Sequence, residues 1–463
     1  MIPSPSQSQA AEAAPVAALN GDWAGTLDIG AMKLRLVFHI RAGPDGASGT
    51  LDSIDQGAMG IPLSSISRDG QAVRFDLARP AASFHGALGS DGLTLVGQWS
   101  QGGADLPLAL TLRPPGSPEA KLNRPQTPVK PYPYREEDVA FDNPADHDRL
   151  AGTLTLPSGR GPFPAVVLVA GSGPNTRDEP ILGHRIFLVL ADHLTRQGLA
   201  VLRYDKRGVG ASTGDYAKAT TRDFADDVVA AMAYLRSRPE IDPARVGLIG
   251  HSEGGLIAPM VAAREPSTAF VVMMAGPGVN GADILAEQGR LISKAMGMSD
   301  AKIAESSALR EQAIAIVRAE KDPAVAAARL RERLTAAAKA QGLGDAAIEA
   351  QIKALNSDWF RFFYDYDPTP AQAKVRCPVL AIAGSKDLQV PPDQNLPPIR
   401  AALAHNADAE VDELPGLNHL FQTAATGGVQ EYSQIEETLA PSAMDLITGW
   451  ILRRVAARVE PGA

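Results

Sequence analysis

The chain has 463 residues, 45% of them hydrophobic and 21% charged, and a formal net charge of −9. This length and apolar content predict two or more folded units, each with a core. The mild acidic balance and scattered basic residues exclude the electrostatic footprint of a nucleic-acid or anionic-lipid binder. The single cysteine, Cys377, excludes an intramolecular disulfide, and its setting VRCPVLAIAG reads as the start of a buried strand rather than a thiol site.

Residues 1–19 are predicted to be a disordered N-terminal segment. They carry neither a basic n-region nor a continuous apolar h-region, so the sequence as written predicts a cytoplasmic protein, and a periplasmic or secreted one if a signal was removed. No apolar run reaches the roughly 18 to 20 residues that span a bilayer. Between residues 20 and 113, the pairs Asp45-Gly46, Asp69-Gly70 and Asp91-Gly92 separate alternating runs such as KLRLVFHIR, VRFDLA and LTLVGQW. Asp-Gly supplies the positive φ that tight hairpins need, so this region predicts an antiparallel β accessory domain, a meander closing toward a small barrel or sandwich. Residues 114–134 hold the proline-rich linker, whose composition favours an extended spacer.

From residue 135 to 463 the pattern changes to short apolar runs alternating with helical stretches. The runs at 165–171, 200–205, 245–250, 269–276, 379–384 and 409–416 predict a mostly parallel sheet with helices on both faces. About 100 residues rich in Ala, Glu, Lys and Arg interrupt this rhythm and end in DWFRFFYDYDP. They read as a helical cap, about 279–372, leaving the sheet at a strand C-terminus, where α/β sheets bind ligands.

Two segments fit G-x-S-x-G, GHSEG around Ser252 and GASTG around Ser212. A nucleophile elbow needs its serine on a strained turn directly between a strand and a helix. Ser252 has RVGLI before it and GLIAPMVAAR after it. Ser212 is separated from its strand by DKRGV and reads as a turn residue. A serine hydroxyl needs a base and the base needs a carboxylate. In a fold of this kind they follow in the order Ser, acid, His. Of the two downstream histidines, His405 ends a helix before the last strand and reads as a surface residue, whereas His419 follows that strand in LPGLNHLFQ. Asp387 in AIAGSKDLQVPP is the expected acid, with Asp393 the alternative.

These motifs resemble the α/β-hydrolase superfamily, and within it the serine esterases that carry a β-rich N-terminal domain. The resemblance rests on GHSEGG, GSKDLQVPP and GLNHLFQ in that order, and on RYDKRGVGAS, which resembles the loop after the fourth strand of that fold. It implies an α/β-hydrolase catalytic domain with a cap, preceded by a small all-β domain. It also implies catalytic Ser252, Asp387 and His419 forming an acyl-enzyme. The backbone N–H of Glu253 is the expected oxyanion donor; a second is expected from the loop after the strand at 165–171, Ser172 first and Gly171 next. The family often has a histidine before that glycine, where this chain has Ala170.

Arg177, Asp178 and Glu179, beside that turn, are expected either to brace it or to meet a polar leaving group. Asp205 and Arg207 are expected to pair with each other, and the Glu253 side chain to make a structural contact. Trp359, Phe360, Phe362 and Phe363 either line an acyl pocket or pack the cap onto its body. The expected reaction is hydrolysis of small to medium acyl esters. A serine amidase, peptidase or thioesterase with the same triad is the alternative, and a catalytically inactive ligand-binding protein is the reading from another class. No phosphate-binding glycine loop, no H-E-x-x-H and no cysteine or histidine cluster is present, so neither a cofactor nor a metal is expected. A small-molecule ester is the expected partner.

Overall fold

The computed structural model describes residues 18–29, 33–43, 46–78, 81–101, 104–118, 122–340 and 344–456. Most of the predicted disordered segment, residues 1–17, lies outside them, as does Asp45. The alternating runs become eight antiparallel strands: β1 (Gly21–Asp28), β2 (Lys33–Gly43), β3 (Gly46–Ser53), β4 (Ala58–Asp69), β5 (Ala72–Leu77), β6 (Ala82–Leu88), β7 (Thr94–Gln101) and β8 (Ala104–Leu112). Each pairs with the next, and β1 pairs with β8, so the meander closes into a barrel. Closure removes the free edges that would otherwise invite pairing with other chains.

The alternation places Trp23, Phe38, Phe75, Phe84 and Trp99 inside, all buried. Phe38 lies 5.1 Å from Phe75 and Phe75 stacks on Phe84 at 5.6 Å between ring centroids, so the interior is filled by side chains. Two turns differ in detail from expectation. Asp69 pairs with Ala72 as the last residue of β4, and Gly70 takes the positive φ of 58°. Asp91 instead closes a wider loop, its Oδ1 accepting the N–H groups of Leu93 and Thr94.

The second sheet has eight strands. In chain order they are β9 (Arg135–Asn143), β10 (Asp148–Leu156), β11 (Phe163–Val169), β12 (Ala200–Tyr204), β13 (Ile241–His251), β14 (Val271–Met274), β15 (Val379–Gly384) and β16 (Ala409–Leu414). Their spatial order is β16-β15-β14-β13-β11-β12-β10-β9. Neighbours from β12 to β16 run parallel, while β9 and β10 are antiparallel at one edge. This is the α/β-hydrolase arrangement. The expected strands all appear; β9 and β10 are additional. REEDVAFDN of β9 has five charged residues in nine and only two that are buried, so it lacks the continuous apolar run that marks the central strands.

Helices α1 (Ile186–Arg196), α2 (Thr221–Ser237) and α3 (Glu253–Ala262) connect the central strands. Between β14 and β15 the predicted cap consists of α4 (Gly281–Ala295), α5 (Asp300–Ala319), α6 (Pro323–Ala340), α7 (Asp345–Leu355) and α8 (Asp358–Asp365), with a single turn at Thr369–Gln372. Helices α9 (Pro392–Ala402) and α10 (Pro441–Ala456) complete the fold. The chain forms two compact units. One comprises the described residues up to Asn123 with 181–183 and 328–353, and contains the barrel; the other comprises the remainder, with the open sheet. From Arg124 on, the proline-rich segment is not a free spacer: Arg124 donates to Ser433 O (2.8 Å) and Gln126 to Leu439 O (2.7 Å).

Candidate active site

Four parallel strands end on the same side of the sheet, and the expected site residues follow them: Gly171 and Ser172 after β11, Ser252 after β13, Asp387 after β15, His419 after β16. Loops at strand carboxyl ends are where open α/β sheets carry their chemistry. Ser252 has φ 54° and ψ −117° between the last residue of β13 and the first of α3. That conformation is a strained one for a residue with a side chain. It is held by the Ser252 N–H donating to Met274 O (2.8 Å) and by Gly255 N–H donating to Ser252 O (2.8 Å). The turn is so close to its neighbours that a Cβ on Gly254 would lie 1.9 Å from Val169 O. Ser252 thus sits at a strand-to-helix elbow.

His419 Nδ1 is 2.8 Å from Asp387 Oδ2. The other carboxylate oxygen, Oδ1, accepts the N–H groups of Gln389 (2.8 Å) and Val390 (2.9 Å). With the carboxylate side chain fully buried, these three bonds leave it one orientation, with Oδ2 toward the imidazole. Close packing brings the two loops together, because a Cβ on Gly384 would stand 2.2 Å from Leu417 O. The His419 ring lies 4.9 Å from the ring of His251, the residue before Ser252. Asp393, the alternative acid, is exposed in the first turn of α9. His405 is exposed as expected.

The loop expected to supply oxyanion donors departs from that expectation at Gly171. Gly171 lies against Ser252, with a hypothetical Cβ 3.1 Å from Ser252 Cβ, but its N–H donates to Glu179 Oε1 at 2.6 Å. Gly171 therefore has no amide to offer an oxyanion. The N–H groups of Ser172 and Glu253 have no acceptor among the described residues. The Glu253 side chain is structural: Oε2 faces Lys206 Nζ (3.0 Å), and Oε1 accepts from Thr221 Oγ1 (2.8 Å) and Trp359 Nε1 (2.5 Å). Lys206 Nζ also donates to Gly171 O (2.6 Å) and lies 4.3 Å from the Phe224 ring centroid. Its ion pair with Glu253 is buried on both sides.

Arg177 and Asp178, considered for substrate contact, are engaged elsewhere. Arg177 forks onto Asp205 and reaches Thr153 Oγ1 (2.9 Å), and Asp178 pairs with Arg185 and Arg203. The expected Asp205 to Arg207 pair does not form. Asp205 is taken by Arg177, and Arg207 pairs with Asp227 and Asp146 at 2.8 and 2.7 Å. Ser212 donates to Asp205 O (2.7 Å) and accepts from Ala151 N (2.9 Å), a turn role. Trp359 stacks on Phe363 at 4.7 Å and meets Phe360 edge-on at 4.7 Å. Phe363 is buried with Leu256 and Ile284, so it packs the cap onto α3, while Trp359 and Phe360 remain partly exposed.

Two polar residues at the site were not singled out by sequence reasoning, Lys206 and His251, whereas Glu179 takes the bracing role, one of the two expected for it, through the Gly171 N–H. The signal for Lys206 and His251 is weak, because each lies inside a motif already assigned to something else. Among the described residues no His, Cys, Asp and Glu group could hold a metal ion, and no helix is long and apolar enough to cross a membrane.

Comparison with known proteins adds the following. The model of the family described as X-Pro dipeptidyl-peptidase (S15 family) matches residues 146–398. Esterase EstD of Thermotoga maritima is 37% identical over 149 residues, which cover 32% of this chain and 34% of that protein. Mitochondrial acyl-coenzyme A thioesterase 2 of Homo sapiens is 32% identical over 126 residues, covering 27% and 23%. The first curated relatives are matched over 34% to 41% of their own length. Among solved structures, the esterase Pf2001 of Pyrococcus furiosus is similar with a TM-score of 0.44 and 16% identity, over 72% of this chain and 97% of that one.

Proposed function

The chain belongs to the X-Pro dipeptidyl-peptidase (S15) family, and from this premise we propose that it is a serine carboxylic ester hydrolase working through Ser252, His419 and Asp387. The observation that carries the proposal is the buried Asp387 carboxylate, held by two backbone N–H groups and turned onto His419 Nδ1. A carboxylate so placed keeps the hydrogen on Nδ1 and leaves Nε2 as the base. Ser252 Oγ attacks the acyl carbonyl while His419 Nε2 takes its proton. The tetrahedral oxyanion is met by the N–H groups of Ser172 and Glu253. His419 then returns the proton to the leaving alcohol, and water activated by the same base releases the acid from the acyl-enzyme.

Small to medium acyl esters are the proposed substrates, with Trp359 and Phe360 of the cap the residues offered to the acyl chain. The esterase EstD match supports an oxygen ester. The family description supports a second reading, cleavage of an X-Pro peptide, and the thioesterase relative a third. One panel separates them: p-nitrophenyl acetate, butyrate and octanoate, an aminoacyl-prolyl p-nitroanilide, and an acyl-coenzyme A, each with the wild type and Ser252→Ala. Ester turnover that vanishes in Ser252→Ala upholds the proposal, and its chain-length profile sizes the acyl site. Turnover of only the anilide or only the thioester transfers the same triad to that bond.

A further inference from the structure

Glu179 is wholly buried, and its backbone has φ 47°, a conformation that a residue with a side chain keeps only where its surroundings over-determine it. Its Oε1 accepts the Gly171 N–H at 2.6 Å and faces His251 Nδ1 at 3.1 Å. Its Oε2 is buried with no partner among the described residues. On the far side of the imidazole, His251 Nε2 is 2.9 Å from His419 O. The ring therefore stands between two oxygens. A carbonyl can only accept, so Nε2 carries a hydrogen, and Nδ1 faces a carboxylate oxygen that also accepts the Gly171 N–H. The contact is attractive only if a second proton lies between Nδ1 and Glu179, on the ring or on the carboxyl. Without it, lone pair faces lone pair between two buried side chains, where such repulsion is costly.

Each end of this unit is attached to a component of the proposed site. Gly171 immediately precedes Ser172, the proposed oxyanion donor, and His419 is the proposed base. His251 is bonded to Ser252 through the backbone. We propose that Glu179 and His251 are positioning residues that share one proton and, while they hold it, fix the oxyanion loop and the His419 loop in register around Ser252. The inference rests on the serine-hydrolase reading above. The other groups facing the pair are His419 and Asp387 of the triad and Lys206, which donates to Gly171 O. Burial opposes charge on His251, yet the Glu179 carboxylate holds the ring above the usual histidine range. The ring therefore keeps its second proton to higher pH than an ordinary histidine and loses it as the pH rises further, so the pair contributes a falling alkaline limb to kcat.

The test uses the full chain as wild type, Glu179→Gln and His251→Gln. It reads p-nitrophenyl butyrate kinetics from pH 5 to 10, Ser252 labelling by a fluorophosphonate, and the ring 15N and carboxyl 13C resonances of His251 and Glu179. The expected results are a kcat lower by about 100-fold in Glu179→Gln with KM little changed, the size of losing one oxyanion donor, and slower labelling. His251→Gln retains an amide donor toward His419 O but has no titrating proton, so its alkaline limb should flatten. In the wild type at pH 7 the resonances should show the pair holding its second proton. Wild-type kcat in Glu179→Gln, a change confined to KM, or a singly protonated ring beside an ionised Glu179 overturns the proposal. The resonance test needs no variant and decides the case if Glu179→Gln does not fold. A wild type that neither labels nor turns over ester defeats the serine-hydrolase reading, whereas an active wild type with unaltered variants defeats the pair alone.

Discussion

Two serines in this chain share one motif and differ in what surrounds them. Ser252 has the left-handed backbone of the elbow, whereas Ser212 gives its hydroxyl to Asp205 O and accepts from Ala151 N. Ser252→Ala should therefore abolish ester hydrolysis and fluorophosphonate labelling. Ser212→Ala should keep kcat near the wild-type value while lowering stability by about 1 to 3 kcal/mol, the cost of leaving buried partners unmade; denaturant midpoints measured beside kcat check both halves. Asp387→Asn keeps the shape but places an amide against His419 Nδ1. The imidazole then adopts the wrong tautomer, and kcat should fall by about 10⁴-fold with the folded structure retained by circular dichroism. Full activity would transfer the orienting role away from Asp387.

Among the elements, α3 and the cap helix α8 bear directly on the surroundings of Ser252 and Glu253. Helix α3 starts against β11, where a methyl group on Gly254 would collide with the backbone at Val169. Backbone cannot move aside as a flexible side chain would, so Gly254→Ala should destabilise by about 3 kcal/mol or more and slow Ser252 labelling, as urea titration and a labelling time course would show. Helix α8 reaches the site through Trp359, whose indole donates to the Glu253 carboxylate that also neutralises Lys206. Trp359→Phe keeps the apolar bulk and removes the donor. It should lower stability by about 2 kcal/mol, the usual value of a hydrogen bond to a charged group.

Two histidines, one in each unit, respond to pH with opposite signs. Burial lowers the pKa of His184 to about 4, and its ring is held by Thr438 Oγ1, Tyr432 O and Gln422. The unfolded chain binds that proton near pH 6.5 and the folded chain does not, so the stability contributed by neutral His184 should fall as pH drops from about 6.5 toward 4. In the barrel, burial opposes charge on His39, but hydrogen bonds to Asp52 and Asp22 raise its pKa overall; Arg41 also pairs with Asp22. That stabilisation is complete below the unfolded value and is lost as pH rises through the raised folded one. Hydrogen exchange resolved by peptide, corrected for intrinsic rate, should show protection around His184 falling in acid and protection around His39 falling in alkali. Each slope should flatten in His184→Gln and His39→Gln respectively.

Much of this was legible in the order of residues because elbows, hairpins and strand ends are local. A glycine two residues before and after a serine, placed between an apolar strand and a helix, can hardly do anything but turn sharply there, and the same locality made the alternating runs of β1 to β8 and the loops carrying Asp387 and His419 readable. Charge pairing was not legible. Arg177 and Asp205 are 28 residues apart, Lys206 and Glu253 47, and Glu179 and His251 72, and which carboxylate each cation meets depends on how β11, β12 and β13 lie side by side. Hence the expected Asp205 to Arg207 pair gave way to two others, and Gly171, which lies against Ser252, turned its amide to Glu179. A buried charge takes the partner that three-dimensional proximity supplies, because leaving it unpaired costs more than any sequence-local preference.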